Sequence, residues 1–157
     1  MNLVTISGPP SSGKTSIILK VIDALKEKDI SVGVVKFDCL YTDDDILYQK
    51  AGVPVKKGLS GALCPDHYFV SNIEEVVQWG RKEELDFLIT ESAGLCNRCS
   101  PYIKDIKSIC VIDNLSGINT PKKIGPMLKS ADIVVITKGD IVSQAEREEF
   151  ASRVNSV

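Results

Sequence analysis

The sequence predicts a three-layer α/β sandwich around a mostly parallel central sheet, and three observations carry that prediction. Short runs rich in valine and isoleucine alternate with longer amphipathic stretches, the signature of strands joined by helices. The runs are apolar on consecutive positions, as strands covered on both faces are. The segment Gly8 to Thr15 joins the first such run to the first helical stretch, with four residues between its glycines and a Lys-Thr pair at its end. A strand, a glycine-rich loop and a helix in that order are a known unit of parallel sheets.

The elements follow in order. Strands are expected at Leu3 to Ser7, Val32 to Phe37, Phe87 to Glu91, Ile109 to Asp113 and Ile133 to Thr137, all short and rich in β-branched residues. Helices are expected from Lys14 to Lys28, Asp44 to Lys50, Asn72 to Glu84 and Ser143 to Arg153. Asp43, Asp44 and Asp45 read as a solvated helix start, with Thr42 or Asp43 as N-cap and the acids favouring the dipole. From Val53 to Tyr68 no single period survives, because Gly52, Pro54, Gly58, Gly61 and Pro65 interrupt it.

Of 157 residues, 43% are hydrophobic and 25% charged, enough to bury a core and too apolar for disorder. No repeat, linker or low-complexity tract divides the chain, so residues 1–157 read as one domain. Nineteen basic against 21 acidic side chains give a formal charge of −2, without the basic surface that nucleic acid or an anionic membrane would attract. The absence of a signal-type N-terminus and of a spanning apolar run points to the cytoplasm. Five cysteines, an odd number, read as thiols, metal ligands or core residues and not as a disulfide framework.

Gly8-Pro9-Pro10-Ser11-Ser12-Gly13-Lys14-Thr15 fits the phosphate-binding pattern, whose chance occurrence in a chain this long is about one in two hundred at average residue usage. Backbone N–H groups of the loop and of the helix start, through Ser16, converge on phosphate oxygens. Gly13 permits close approach, Lys14 reaches the β- and γ-phosphates, and the Thr15 hydroxyl suits Mg²⁺. No lysine lies between Gly8 and Gly13, which disfavours the septum-site and partitioning ATPases. Asp38 and Glu91 end neighbouring strands and are the candidates for a second Mg²⁺ contact; a strand-end cap or turn is the competing role for either.

Thr137-Lys138-Gly139-Asp140 follows the last strand where many GTPases carry Asn-Lys-x-Asp. Asp140 can accept from the ring N–H and exocyclic amino group of guanine while the Lys138 stem packs on the base; adenine offers no matching pair of donors. A plain Gly-Asp turn is the alternative. Thr137 lacks the amide that usually ties this loop to the phosphate loop, so weaker base binding is expected.

With these motifs in order, the chain resembles the nickel-delivery P-loop GTPases: the urease accessory GTPase and the hydrogenase nickel-incorporation GTPase, with the related cobalamin-type metallochaperone GTPases. The resemblance runs from Leu3 to about Val142 through Glu91-Ser92-Ala93-Gly94, similar to the family's Glu-Ser-Gly-Gly, and Val111-Ile112-Asp113. It continues through Pro121-Lys122-Lys123-Ile124-Gly125-Pro126, Ser130-Ala131-Asp132 and the Thr-Lys-Gly-Asp motif. It implies a P-loop nucleotide-binding fold, slow GTP hydrolysis, Gly94 near the nucleotide, a homodimer with the metal motif at its two-fold interface, and a metalloenzyme client or accessory protein. The resembling proteins continue with another strand and a loop over the guanine, so either a domain truncated at its C-terminus or an incomplete base site is expected.

Cys64-Pro65-Asp66-His67 resembles the family's Cys-Pro-His metal motif with one residue inserted. Cys96-Asn97-Arg98-Cys99 stands where the hydrogenase-type member carries a single metal cysteine. Cys64, His67, Cys96 and Cys99 together offer three thiolates and one imidazole, a donor set for Zn²⁺ or Ni²⁺. A redox pair, incidental loop thiols or an iron–sulfur cluster are competing uses of the same cysteines. Cys110, inside an apolar run, reads as core, and Cys39 is ambiguous. Cys96 lies two residues beyond Gly94, so a nucleotide-driven shift there would move a metal ligand. The rival from another class, a small-molecule P-loop kinase, needs an arginine-bearing lid, and the four arginines form no such cluster.

Overall fold

A computed structural model of the protein describes residues 1–93 and 101–157. Six described strands form one parallel sheet: β1 (Asn2–Gly8), β2 (Val32–Asp38), β3 (Val55–Leu59), β4 (Phe87–Ala93), β5 (Lys107–Asp113) and β6 (Ile133–Thr137), in the order β3-β2-β4-β1-β5-β6. Helices α1 (Lys14–Lys26), α2 (Asp44–Lys50), α3 (Pro65–Ser71), α4 (Ile73–Lys82), α5 (Thr120–Lys123), α6 (Gly125–Ser130) and α7 (Gln144–Asn155) complete it.

The layers follow from which residues alternate strands present to each face. Ile18 and Ile22 of α1 and Tyr48 of α2 pack with Ile6, Val34, Ile89 and Val111. Phe69 of α3 and Val76 of α4 pack with Val35, Phe37 and Leu88, which point the opposite way. Cys110 and Ile112 of β5 meet Met127, Leu128, Phe150 and Val154. Cys110 is thus a core residue, and burial pushes its thiol up to about 12.

Five strands fall where the sequence pattern puts them, and the sixth, β3, lies in the segment that showed no period. It is an edge strand paired only to β2, its Lys56 and Lys57 interrupt any apolar run, and Gly58 is demanded by a neighbour: a Cβ there would lie 2.5 Å from the Phe37 ring. The helix expected from Asn72 to Glu84 is α4, and a further helix the pattern did not show, α3, precedes it, with Pro65 in its first turn. The acid run starts a helix as expected, with Asp43 exposed, but Asp44 and Asp45 are not simply solvated. Asp44 pairs with Lys36 at 2.7 Å, and Asp45 is buried and pairs with Lys57 at 2.9 Å. Asp43 is the N-cap residue but makes no side-chain cap; Thr42 Oγ1 accepts from Asp44 N instead.

Candidate nucleotide site and metal motif

The loop from Gly8 to Gly13 leaves the carboxyl end of β1 and turns into α1 through three positive-φ residues, Gly8 at 152°, Ser11 at 60° and Gly13 at 94°. Gly8 is fixed by a close approach as well as by its angle, since a Cβ would stand 2.0 Å from Val111 O. Lys14 Nζ donates to Gly8 O at 3.0 Å and Pro9 O at 2.8 Å, so the loop carbonyls hold the ammonium that phosphates would receive. Burial lowers the Lys14 pKa to about 8, with Glu91 opposing and Lys36 adding to the fall. A cleft of about 440 Å³ opens here, lined by Pro10, Ser11, Gly13 to Ser16, Lys36, Asp38, Asp44 and Glu91, among others.

Sheet register builds the rest of this end of the cleft. Ile6, Glu91 and Lys36 lie side by side on β1, β4 and β2, so the two charged side chains leave the same face. Glu91 Oε1 accepts from Thr15 Oγ1 at 3.0 Å and from Lys36 Nζ at 2.8 Å, while Oε2 accepts from the Tyr48 hydroxyl. Burial works against the Lys36 ammonium, but Glu91 and Asp44 outweigh it and hold its pKa above the ordinary value. Asp44 is held below the carboxylate range, its partial burial outweighed by Lys36. Tyr48 is raised, first by burial and then by Glu91. Asp38 lines the cleft but stays outside this network; its Oδ1 accepts from Cys39 N at 2.7 Å. Lys36 and Tyr48 carry no sequence motif; the register of β2 with β4 brings Lys36 to Glu91, and the packing of α2 on the sheet brings Tyr48.

The loop after β6 is tied to the phosphate loop at two points. Thr137 Oγ1 donates to Ser12 O at 2.6 Å, and Lys138 Nζ donates to Ser11 O at 2.8 Å while lying 3.4 Å from Asp113. The tie expected to be missing with asparagine is therefore made by the threonine hydroxyl. Asn114, which the sequence reading passed over, donates Nδ2 to Thr137 O at 2.7 Å and leaves Oδ1 buried with no partner among the described residues. Asp140 is exposed in the short turn beyond, Gly139–Ile141.

Cys64 is the N-cap residue of α3 and half-buried; His67 lies three residues on, exposed, on the same side of the first turn. Between them Asp66 is buried, accepts from Ser92 Oγ at 2.6 Å, and leaves Oδ2 without a partner among the described residues. Burial raises its pKa, against the Ser92 hydrogen bond and the positive field of Lys14. Gly94, Cys96 and Cys99 lie outside the described residues. Within those that are described, no group of three or more histidine, cysteine or carboxylate side chains is placed to hold a metal.

A phosphate-binding loop at the carboxyl edge of a parallel sheet, backed by a strand-end glutamate on its threonine, defines a P-loop nucleotide-binding domain. Residues 2–157 match the CobW/HypB/UreG nucleotide-binding domain, and the chain belongs to that family of GTP-binding domains. An uncharacterized protein of Methanocaldococcus jannaschii is 55% identical over 154 residues, 98% of this chain and 66% of that protein, so the chain spans just under two thirds of this relative. The hydrogenase maturation factor HypB from Archaeoglobus fulgidus shares the fold at TM-score 0.74 and 19% identity, over 99% of this chain and 76% of that one. HypB from Helicobacter pylori, solved in complex with nickel, aligns at TM-score 0.74 and 26% identity over 99% of this chain and 72% of that one. Among the described residues no helix is long and apolar enough to cross a membrane.

Proposed function

We propose that this domain binds and slowly hydrolyses GTP in the cytoplasm, and that its nucleotide state controls a Cys/His metal site used in metallocentre assembly. The observation that carries the reading is the Asp66–Ser92 hydrogen bond of 2.6 Å. It joins the helix of Cys64 and His67 to the residue beside Glu91, so the metal motif and the nucleotide strand share a buried contact. Lys14, the loop amides and the Lys138–Asp140 turn supply phosphate and guanine recognition.

The residues present fit Mg²⁺. Thr15 spends its one hydroxyl hydrogen on Glu91, which leaves its lone pairs for a cation, and Asp38 and Glu91 add hard oxygen donors. Bound there, Mg²⁺ would supply charge neutralisation at the β- and γ-phosphates. Lys14 brings its ammonium to the charge that develops as water attacks in line, and the loop N–H groups hold the phosphates in place.

The transition metal, Zn²⁺ or Ni²⁺, is read as cargo, with Cys64 and His67 as two ligands and Cys96 and Cys99 as the others. Nickel is favoured by the HypB relative solved with it. A homodimer is supported by Leu40, Tyr41, Leu59 and Leu63, which are 77%, 72%, 48% and 60% exposed at the end of β3 and in the loops beside it. Chelator competition for Zn²⁺ and Ni²⁺ in GTP-analogue and GDP buffers tests the coupling: affinities differing by about tenfold or more are expected, and equal affinities would refute it.

A further inference from the structure

Lys36 has no part in that account, although it lines the same cleft. Its ammonium is 4% exposed, 2.8 Å from Glu91 Oε1 and 2.7 Å from Asp44 Oδ2. The same Glu91 oxygen receives the Thr15 hydroxyl, so the lysine stands beside the group that would ligate a divalent ion. Its position is not a side-chain accident: Lys36 and Glu91 are register partners on adjacent strands, and Asp44 opens α2 just after β2. Lys14 lines the same cleft, and the positive field of Lys36 helps to lower its pKa.

A divalent cation and an ammonium answer the same electrostatic need here, neutralising Glu91 and Asp44 and facing anionic phosphate. We propose that Lys36 is a built-in cation of the nucleotide site, which competes with Mg²⁺ for Glu91 and lets nucleotide bind with little dependence on Mg²⁺. This rests on the guanine-nucleotide reading above. It adds a determinant of nucleotide binding that Thr15, Asp38 and Glu91 alone would not supply.

Calorimetric titration of the chain with GDP and with a non-hydrolysable GTP analogue, in EDTA and in excess Mg²⁺, tests it. The unsubstituted protein should lose less than about fivefold in affinity when Mg²⁺ is removed. Lys36→Met should lose about tenfold or more in EDTA and recover most of it with Mg²⁺, while Lys36→Arg, which keeps the charge, should behave as the parent. Because Lys36→Met strands two carboxylates, Lys36→Met/Asp44→Asn, which deletes one charge of each sign, serves as the variant if the single one does not fold. Equal Mg²⁺ dependence in the parent and the Met variants would overturn the proposal and leave the nucleotide reading standing. So would a hundredfold loss in the parent on removing Mg²⁺, which needs no variant. A parent protein that binds no guanine nucleotide in either buffer would overturn both.

Discussion

Raising the pH from 7 to 8.5 should weaken nucleotide binding through Lys14. In the empty loop the Lys14 ammonium is 4% exposed and donates to Gly8 O and Pro9 O, and burial brings its pKa to about 8. A bound phosphate returns it at least to the ordinary lysine value, because the charged form gains an anionic partner. Between these two values the bound state holds more protons than the empty one, so binding takes up a proton and weakens as pH rises. With about one empty loop in ten deprotonated at pH 7 and about three quarters at pH 8.5, affinity falls about fourfold, or about 0.8 kcal/mol. The same lowered pKa makes the charged lysine a burden on the folded, nucleotide-free chain below pH 8, relieved as pH climbs toward 10.5. Calorimetry at pH 8.5 in two buffers of different ionisation enthalpy should report uptake of about 0.75 proton per nucleotide. Flat affinity from pH 7 to 8.5 together with no proton uptake would refute the reasoning.

Thr137→Val should lower guanine-nucleotide affinity by about 1 kcal/mol, since it deletes the 2.6 Å hydrogen bond to Ser12 O that ties the base loop to the phosphate loop; nucleotide titration against the parent checks it. Tyr48→Phe should cost about 1–3 kcal/mol in denaturant unfolding, because a buried Glu91 oxygen loses its donor. Asp140→Asn should shrink the preference for GDP over ADP in competition binding, with ADP affinity unchanged. Asp66→Asn should narrow the difference in metal affinity between GTP-analogue and GDP buffers while sparing nucleotide affinity. An undiminished difference would show that the Ser92 contact does not carry the coupling.

What could be read along the chain was contiguous. The phosphate loop is legible because its function needs glycine at fixed positions between a strand and a helix, and the structure places positive φ at Gly8 and Gly13. Five strands were legible because each is a short run rich in valine and isoleucine, in the inner strands buried on both faces. The edge strand β3, Val-Lys-Lys-Gly-Leu, was not, since two lysines and a glycine held by the approach of Phe37 break any apolar run.

The sequence also offered Glu91 as a candidate Mg²⁺ contact, and the resemblance offered Cys64 with His67 as a metal motif, but neither said what surrounds them. That Lys36 and Tyr48 converge on Glu91, that Asp44 and Asp45 are paired ions, and that Asp66 reaches Ser92 depend on strand register and on how α2 and α3 pack on the sheet. The sequence by itself determined the fold class, the phosphate loop and the order of the motifs, because each is written in neighbouring residues whose backbone geometry is local. Only the tertiary structure decided which charges neutralise one another inside the cleft, because a buried ion pair is fixed by which strands lie side by side, and nothing local to Lys36 announces Glu91, fifty-five positions further on.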